Sequence, residues 1–202
     1  MTIAYKKLHD TFARLSRFGH LSAIAGWDAA AMMPPEGGQA RSEALAELSV
    51  LTHQILTAKQ VGEWLEQAGG EQLNDVEQAN LREMRRHYQQ AALLPESLVQ
   101  AKSLAGARCE QAWRIQRKSN DWEGFADNLK EVVKLSRQEA QLRSEAAGIS
   151  RYDALLDLYE PGMTSQKLDV LFGDLKTWLP DLLQTVVEKQ KSETRIAPQG
   201  PF

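Results

Sequence analysis

Apolar residues recur at helical spacing almost from one end of the chain to the other, and no segment alternates apolar and polar residues with the period of two that a half-buried strand requires. That pattern confines the chain to packed helices. Leu8, Phe12, Leu15, Phe18, Leu21 and Ile24 predict one buried stripe on a first helix that stops near Gly26. The segment Trp27-Asp28-Ala29-Ala30-Ala31-Met32-Met33-Pro34-Pro35-Glu36-Gly37-Gly38 follows, and its two prolines and two glycines predict a shaped connection. Ala44, Leu45, Leu48, Leu51, Ile55 and Leu65 predict a second long helix ending at Gly69-Gly70.

The next boundaries are marked by caps. Asn74 with Glu77 three residues on predicts a capping box at the head of a third helix that runs to about Ala92. Pro95 suits the first turn of a fourth, which carries Leu98, Ala101, Leu104, Ala105, Ala112 and Ile115 and is broken by Ser119-Asn120-Asp121. Trp122, Phe125, Leu129, Val132, Val133 and Ala140 share one face of a fifth, with Gly148 placed for a left-handed stop. After a short piece from Arg151 to Leu158, Thr164 caps a last helix bearing Leu168, Leu171, Phe172, Leu175, Leu179, Leu182, Leu183 and Val186, which Pro180 should kink or split. The helices differ in length and share no repeat, so the expectation is an all-α, irregular antiparallel helical bundle, a single region over residues 1–202. It reads as one cooperative unit up to the tail Arg195–Phe202, where the pattern stops.

Composition narrows the function classes. The 202 residues carry 24 Lys and Arg against 27 Asp and Glu, a net charge of −3 that exerts no general pull on nucleic acid or anionic lipid. Neither is an expected partner. No apolar run approaches the ~18 residues of a membrane span, and charges near the amino terminus stand where a secretory signal needs its apolar core, so a cytoplasmic location is expected. The single Cys109 reads as a small buried hydrophobe.

Catalytic chemistry leaves little trace. A zinc hydrolase helix needs two histidines four apart with a glutamate beside the first, which puts both imidazoles on one face and leaves a carboxylate to activate water. His9, His20, His53 and His87 lie on different predicted helices, and Glu83 with His87 reads as a surface pair. No catalytic residue and no metal ligand is assigned. No nucleophile elbow and no phosphate-binding glycine loop is present in the sequence. Arg82, Arg85 and Arg86 with Tyr88, and Arg108, Arg114, Arg117 and Lys118 with Trp113, read as solvated faces. Trp27, Met32 and Met33 beside a proline corner would suit a pocket wall; the simpler reading makes them apolar pins for the connection.

Two segments carry a resemblance. Trp27-Asp28-Ala29-Ala30-Ala31-Met32-Met33-Pro34-Pro35, followed by Ala40-Arg41-Ser42-Glu43-Ala44-Leu45-Ala46-Glu47-Leu48-Ser49, resembles the amino-terminal signature of the carboxypeptidase Taq family of metallocarboxypeptidases. Tyr152-Asp153-Ala154-Leu155-Leu156-Asp157-Leu158-Tyr159-Glu160-Pro161-Gly162-Met163-Thr164 resembles a second signature of the same family, in the right order. The resemblance spans this chain but only the first two-fifths of a family member. It implies a neurolysin-like zinc peptidase fold with a long groove between helical walls, and cytoplasmic homodimers that remove C-terminal residues from peptides with broad preference, using zinc or cobalt. The His-Glu-x-x-His helix, the later glutamate ligand and the arginines that hold the substrate carboxylate belong to sequence beyond Phe202 and have no counterpart here. The signature residues Trp27, Asp28, Met33, Pro34, Pro35 and Arg41, with Tyr159, Glu160, Pro161, Gly162 and Met163, are therefore expected to shape or wall the groove. The chain alone is expected to hold no cofactor and to be catalytically silent. A rival of another class is a stand-alone helical interaction module that kept the scaffold without the enzyme.

Overall fold

The computed structural model describes residues 3–194 and Gly200, so the expectation for the tail Arg195–Phe202 falls largely outside the described residues. Among the described residues there are eight α-helices and no strand: α1 (Ile3–Ala31), α2 (Gly38–Thr57), α3 (Lys59–Gly69), α4 (Asp75–Ala92), α5 (Glu96–Ser119), α6 (Trp122–Ala147), α7 (Arg151–Leu156) and α8 (Ser165–Gln190). The fold is all-α, as the periodicity requires. The chain divides into two compact units, residues 1–151 and 152–202.

In the first unit the core begins at the amino end of α1. Tyr5, Leu8, Val61, Leu65 and Ala68 are almost fully buried, and with Ala4, Leu81 and Met84 they join α1, α3 and α4 into one cluster. Each large apolar side chain so enclosed stabilises the fold by about 1.5–3 kcal/mol. Glu71 fixes the head of α1: its two carboxylate oxygens accept from the free amides of Ala4 (2.9 Å) and Tyr5 (3.0 Å), where a negative charge also meets the positive end of the helix dipole. The Tyr5 hydroxyl accepts from Asn80 Nδ2, so the buried ring keeps its polar tip paired. From α1 the packing passes to α2, from α2 to α5, and from α5 to its antiparallel neighbour α6.

Several boundaries stand where the caps put them. Asn74 and Glu77 form the reciprocal capping box, Asp121 accepts from Gly124 N, and Asn120 and Gly148 take left-handed conformations after α5 and α6. Three differ from expectation. α1 continues through Gly26 to Ala31, because Gly26 faces open space and the three alanines after Asp28 are strong helix formers. The expected second helix is two, turned at Ala58 with no proline or glycine to announce it; the turn lets Val61, Leu65 and Ala68 face α1 and α4. Of the kink or split expected at Pro180, the split does not occur, since α8 is one helix from Ser165 to Gln190. The stripe on α1 is also shorter than its sequence suggests, since Leu21 and Ile24 are more than half exposed.

In the second unit α7 leads through a turn to α8, whose amino end is capped by Thr164. Ala154 is buried there, and α8 buries none of its residues.

Candidate functional site

The first signature segment is built around the carboxyl end of α1. The amides of Met32 (2.9 Å) and Met33 (2.8 Å) both donate to the carbonyl of Asp28, which closes the last turn. Helix ends of this kind leave carbonyls without partners and a partial negative charge, and two arginines answer both needs. Arg41 of α2 donates from Nη1 to the Ala25 carbonyl (2.6 Å) and from Nη2 to Asp28 Oδ2 (2.7 Å). Arg114 of α5 donates from Nη1 to the carbonyls of Ala29 (2.9 Å) and Ala30 (3.3 Å), while its Nη2 donates to Glu110 Oε1 (2.7 Å). Arg114 is thus no solvated basic face; its guanidinium ties α5 to the end of α1.

The connection then turns through a short 3₁₀ segment, Pro35–Gly37, into α2. Gly38 is buried where α2 meets α5. Gln111 Nε2 donates to the Gly38 carbonyl (2.9 Å) and to Ser42 Oγ (3.1 Å), and Ser42 Oγ donates to the same carbonyl (2.7 Å). A Cβ at position 38 would lie 2.5 Å from Gln111 Oε1, so the Gln111 amide would have to leave this position for any larger residue. Met33 packs over Gly37, with its Cγ 3.0 Å from where a Cβ would stand. Trp27 and Met32 are 62% and 69% exposed. The pinning expected of them falls instead to Met33 and to the polar web of Arg41, Arg114 and Gln111.

The second signature segment is organised by two aspartates. Asp157 Oδ1 accepts from Gly162 N (2.8 Å), and Asp153 Oδ1 accepts from Ser165 N (2.7 Å). Lys167 Nζ donates to the Gly162 carbonyl (2.7 Å), and the Met163 amide donates to the Glu160 carbonyl (3.0 Å). Gly162 takes φ +78, a conformation side chains resist, which fits glycine at that point of the turn. Tyr159, Glu160 and Pro161 stand out from the surface, Tyr159 at 88% exposure, while Met163 is half-buried. Each signature is therefore a stiff, internally bonded loop that presents a few side chains outward.

Two further clusters lie in the first unit. Glu139 of α6, almost fully buried, accepts from Arg143 Nε (2.8 Å) and contacts Lys102 Nζ of α5, and Arg143 Nη1 reaches the Gln90 carbonyl at the end of α4 (3.1 Å). Burial, and then the charge of Arg143, push Lys102 below its usual value of 10.5. This cluster joins α5 to α6 through paired charges and α6 to α4 through a backbone carbonyl. His53 of α2 and His87 of α4, scattered in sequence, line one groove with Phe12, Leu15 and Leu56, and the His87 ring lies tilted against Phe12. Cys109 is buried.

Among the described residues no group of three His, Cys, Asp or Glu side chains is placed to hold a metal ion, and tetrahedral zinc takes at least three protein ligands even in catalytic sites. The donors of the described residues do not make such a set, and no hydrolytic step is derived from them. Among the described residues no helix is long and apolar enough to cross a membrane.

The described residues thus form an all-helical scaffold that carries two braced signature loops. A model of the carboxypeptidase Taq (M32) metallopeptidase family matches residues 7–201, and the chain belongs to that family. It is 35% identical to thermostable carboxypeptidase 1 of Thermus thermophilus, over 93% of this chain and 39% of the relative. With thermostable carboxypeptidase 1 of Pyrococcus furiosus the identity is 30%, over 92% and 37%. Among solved structures, metallocarboxypeptidase 1 of Trypanosoma cruzi superposes with a TM-score of 0.78 at 43% identity, covering 98% of this chain and 40% of that one. The chain spans about two-fifths of the length of the curated relatives it matches.

Proposed function

We propose that this chain is the amino-terminal helical region of a metal-dependent carboxypeptidase that releases C-terminal residues from peptides with broad preference. In this reading the whole of residues 1–202 is scaffold: the loop of Trp27, Asp28, Met33, Pro34, Pro35 and Arg41 and the loop of Tyr159, Glu160, Pro161, Gly162 and Met163 shape the wall of the peptide groove. The ion, zinc or cobalt, is held by residues outside this chain. The parent protein works in the cytoplasm as a homodimer that this region helps to support.

One observation carries the reading: the match to the family runs nearly the whole length of this chain while accounting for only 39% of a curated carboxypeptidase. Two features support it. The two signature loops are those braced by Arg41, Arg114, Asp153 and Asp157, and among the described residues no three His, Cys, Asp or Glu side chains come together to hold an ion. The test is direct. Incubated with zinc or cobalt and a peptide, the 202-residue chain alone should release no C-terminal amino acid, whereas release that scales with added metal and stops with chelator would overturn the reading.

A further inference from the structure

Between the head of α5 and the last turns of α6, within the first unit, lies an open cavity of about 570 Å³. Its floor is apolar: Leu98 of α5 and Leu135 of α6 are 6% and 7% exposed, and Leu142 follows Leu135 on the same side of the helix, seven residues on. Its rim is cationic. Arg137 of α6 and Arg151 at the start of α7 both line it, and among the described residues its lining includes no aspartate or glutamate. A local turn brings the two arginines together. α6 stops at Gly148, whose φ is +66; the Gly148 amide donates to the Ser144 carbonyl (2.8 Å), and Ser144 Oγ donates to the Ile149 carbonyl (2.6 Å), which folds Arg151 back beside the helix. Arg114 and Arg143, on the same two long helices, are bound to carbonyls and acids, whereas neither Arg137 nor Arg151 has a hydrogen-bond or ion-pair partner among the described residues. Gln141, four residues after Arg137, adds an acceptor. Its Nε2 donates to Glu145 Oε1, which fixes the orientation of the amide, and its Oε1 is buried with no donor.

We infer that this cavity binds the carboxylate end of an apolar α-amino acid, free or as the last residue of a peptide. The two guanidiniums supply N–H donors in the fork geometry that a carboxylate accepts. The leucine floor receives a branched side chain, as ligand pockets with an apolar lining and a few placed polar groups do. The α-nitrogen, an N–H donor whether ammonium or amide, answers Gln141 Oε1. Other occupants match less of the site. An inorganic oxyanion would leave the floor wet, a fatty acid would bring no donor to Gln141, and a cation would meet two like charges. The inference goes beyond the proposed function, since it uses only side chains of this chain and no metal ion.

The experiment titrates the 202-residue chain with N-acetyl-leucine and with leucine, and follows binding by calorimetry and by the arginine Nε–H signals in NMR. At least one of the two should bind with a dissociation constant at or below about 1 mM. Tighter binding of N-acetyl-leucine assigns the site to a peptide end, and tighter binding of leucine to the free amino acid. N-acetyl-leucinamide, which lacks the carboxylate, should bind at least about tenfold more weakly, and so should N-acetyl-glycine, which leaves the floor uncovered. Arg137→Gln and Arg151→Gln should each weaken binding about tenfold, while Lys130→Gln, which removes a cation elsewhere on α6, should leave it unchanged. Both arginine side chains are exposed, so the variants keep the fold, and an unchanged urea midpoint checks this. No saturable binding of either ligand at millimolar concentration, equal affinity for acid and amide, or a double Arg137→Gln, Arg151→Gln variant that binds as the wild type does would overturn the inference. Such a result would leave metal-dependent release of C-terminal residues, the readout of the proposed function, untouched.

Discussion

Arg41 Nη2 lies 2.7 Å from Asp28 Oδ2, and the same guanidinium donates to the carbonyl of Ala25 one turn earlier, so a single side chain of α2 holds both the acid and the backbone at the end of α1. Both partners are partly shielded from solvent, which lifts the pair above the value of an exposed ion pair. Arg41→Ala should therefore destabilise the first unit by about 1.5–3 kcal/mol, the range for hydrogen bonds to charged groups. Arg41→Lys should recover only part of this, because an ammonium cannot span two acceptors in a fixed fork. Urea unfolding of the two variants decides the point; equal stability of wild type and Arg41→Ala would show that the contact holds nothing.

Gly38 should be intolerant of a methyl group for a reason that lies in Gln111. Alanine at 38 displaces the Gln111 amide from the Gly38 carbonyl and Ser42 Oγ, two hydrogen bonds in a buried corner. The better helix propensity of alanine offsets part of that loss. A net destabilisation of about 1 kcal/mol is expected. In a Gln111→Ala background the same substitution should be neutral or mildly stabilising, and a double-mutant cycle by thermal or urea melting measures the coupling. Strict additivity would sink the explanation.

The buried cluster of Lys102, Glu139 and Arg143 makes a pH-dependent prediction. Lys102 holds its proton less tightly in the folded chain than the usual 10.5, so between its lowered value and 10.5 the unfolded chain binds a proton that the folded chain has released. Stability from this residue therefore rises with pH through that window, and the cost of burying the ammonium is felt below it. The stability difference between wild type and Lys102→Met should shift in favour of wild type as pH climbs toward 10.5, where lysine ordinarily titrates. A flat difference, read from urea melts at each pH, would remove Lys102 from the account. Glu139→Gln removes the countercharge shared by Lys102 and Arg143 and should cost about 3–5 kcal/mol.

What the sequence discloses here is local. Asn74 with Glu77, Asp121, Gly148 and Thr164 mark helix ends because a cap is a bargain struck within three or four residues. The family signatures are legible for the same reason, since prolines and glycines announce a turn wherever it lies in the fold. The turn at Ala58 is not announced, because it is imposed by Tyr5, Leu8, Leu81 and Met84, which are distant in sequence. Arg114 gives no local sign either: among Arg108, Arg117 and Lys118 it looks like one more surface cation, and only the approach of α5 to the end of α1 distinguishes it. The α1 stripe misleads beyond Phe18, for a periodic pattern marks a face that packs without saying against what. Asp153 and Asp157 sit inside the quoted second signature, and their spacing of four before a glycine turn is the signal that could have marked them as its braces.

Gly162 provides the corresponding test in the second unit. Its φ of +78 lies where a Cβ meets the following carbonyl, a strain of about 1–2 kcal/mol for an L-residue. No atom outside the turn stands within 4 Å of the place a Cβ would occupy, so the effect of Gly162→Ala is conformational rather than steric. Asp157→Ala acts on the same turn from the other side by removing the acceptor of the Gly162 amide, and Lys167→Met removes the donor to its carbonyl. If the three contacts work as one brace, Gly162→Ala and Asp157→Ala should each speed amide exchange over residues 157–165 about five- to tenfold, equivalent to about 1–1.4 kcal/mol of local stability. The double variant should do little more than either single one, because the turn is already open. Exchange in α1–α6 should be unchanged, since the brace lies wholly within the second unit. Additive effects in the double variant would mean that Asp157 and Gly162 contribute independently, and the loop would then be held by Asp153 and Ser165 rather than by the glycine turn.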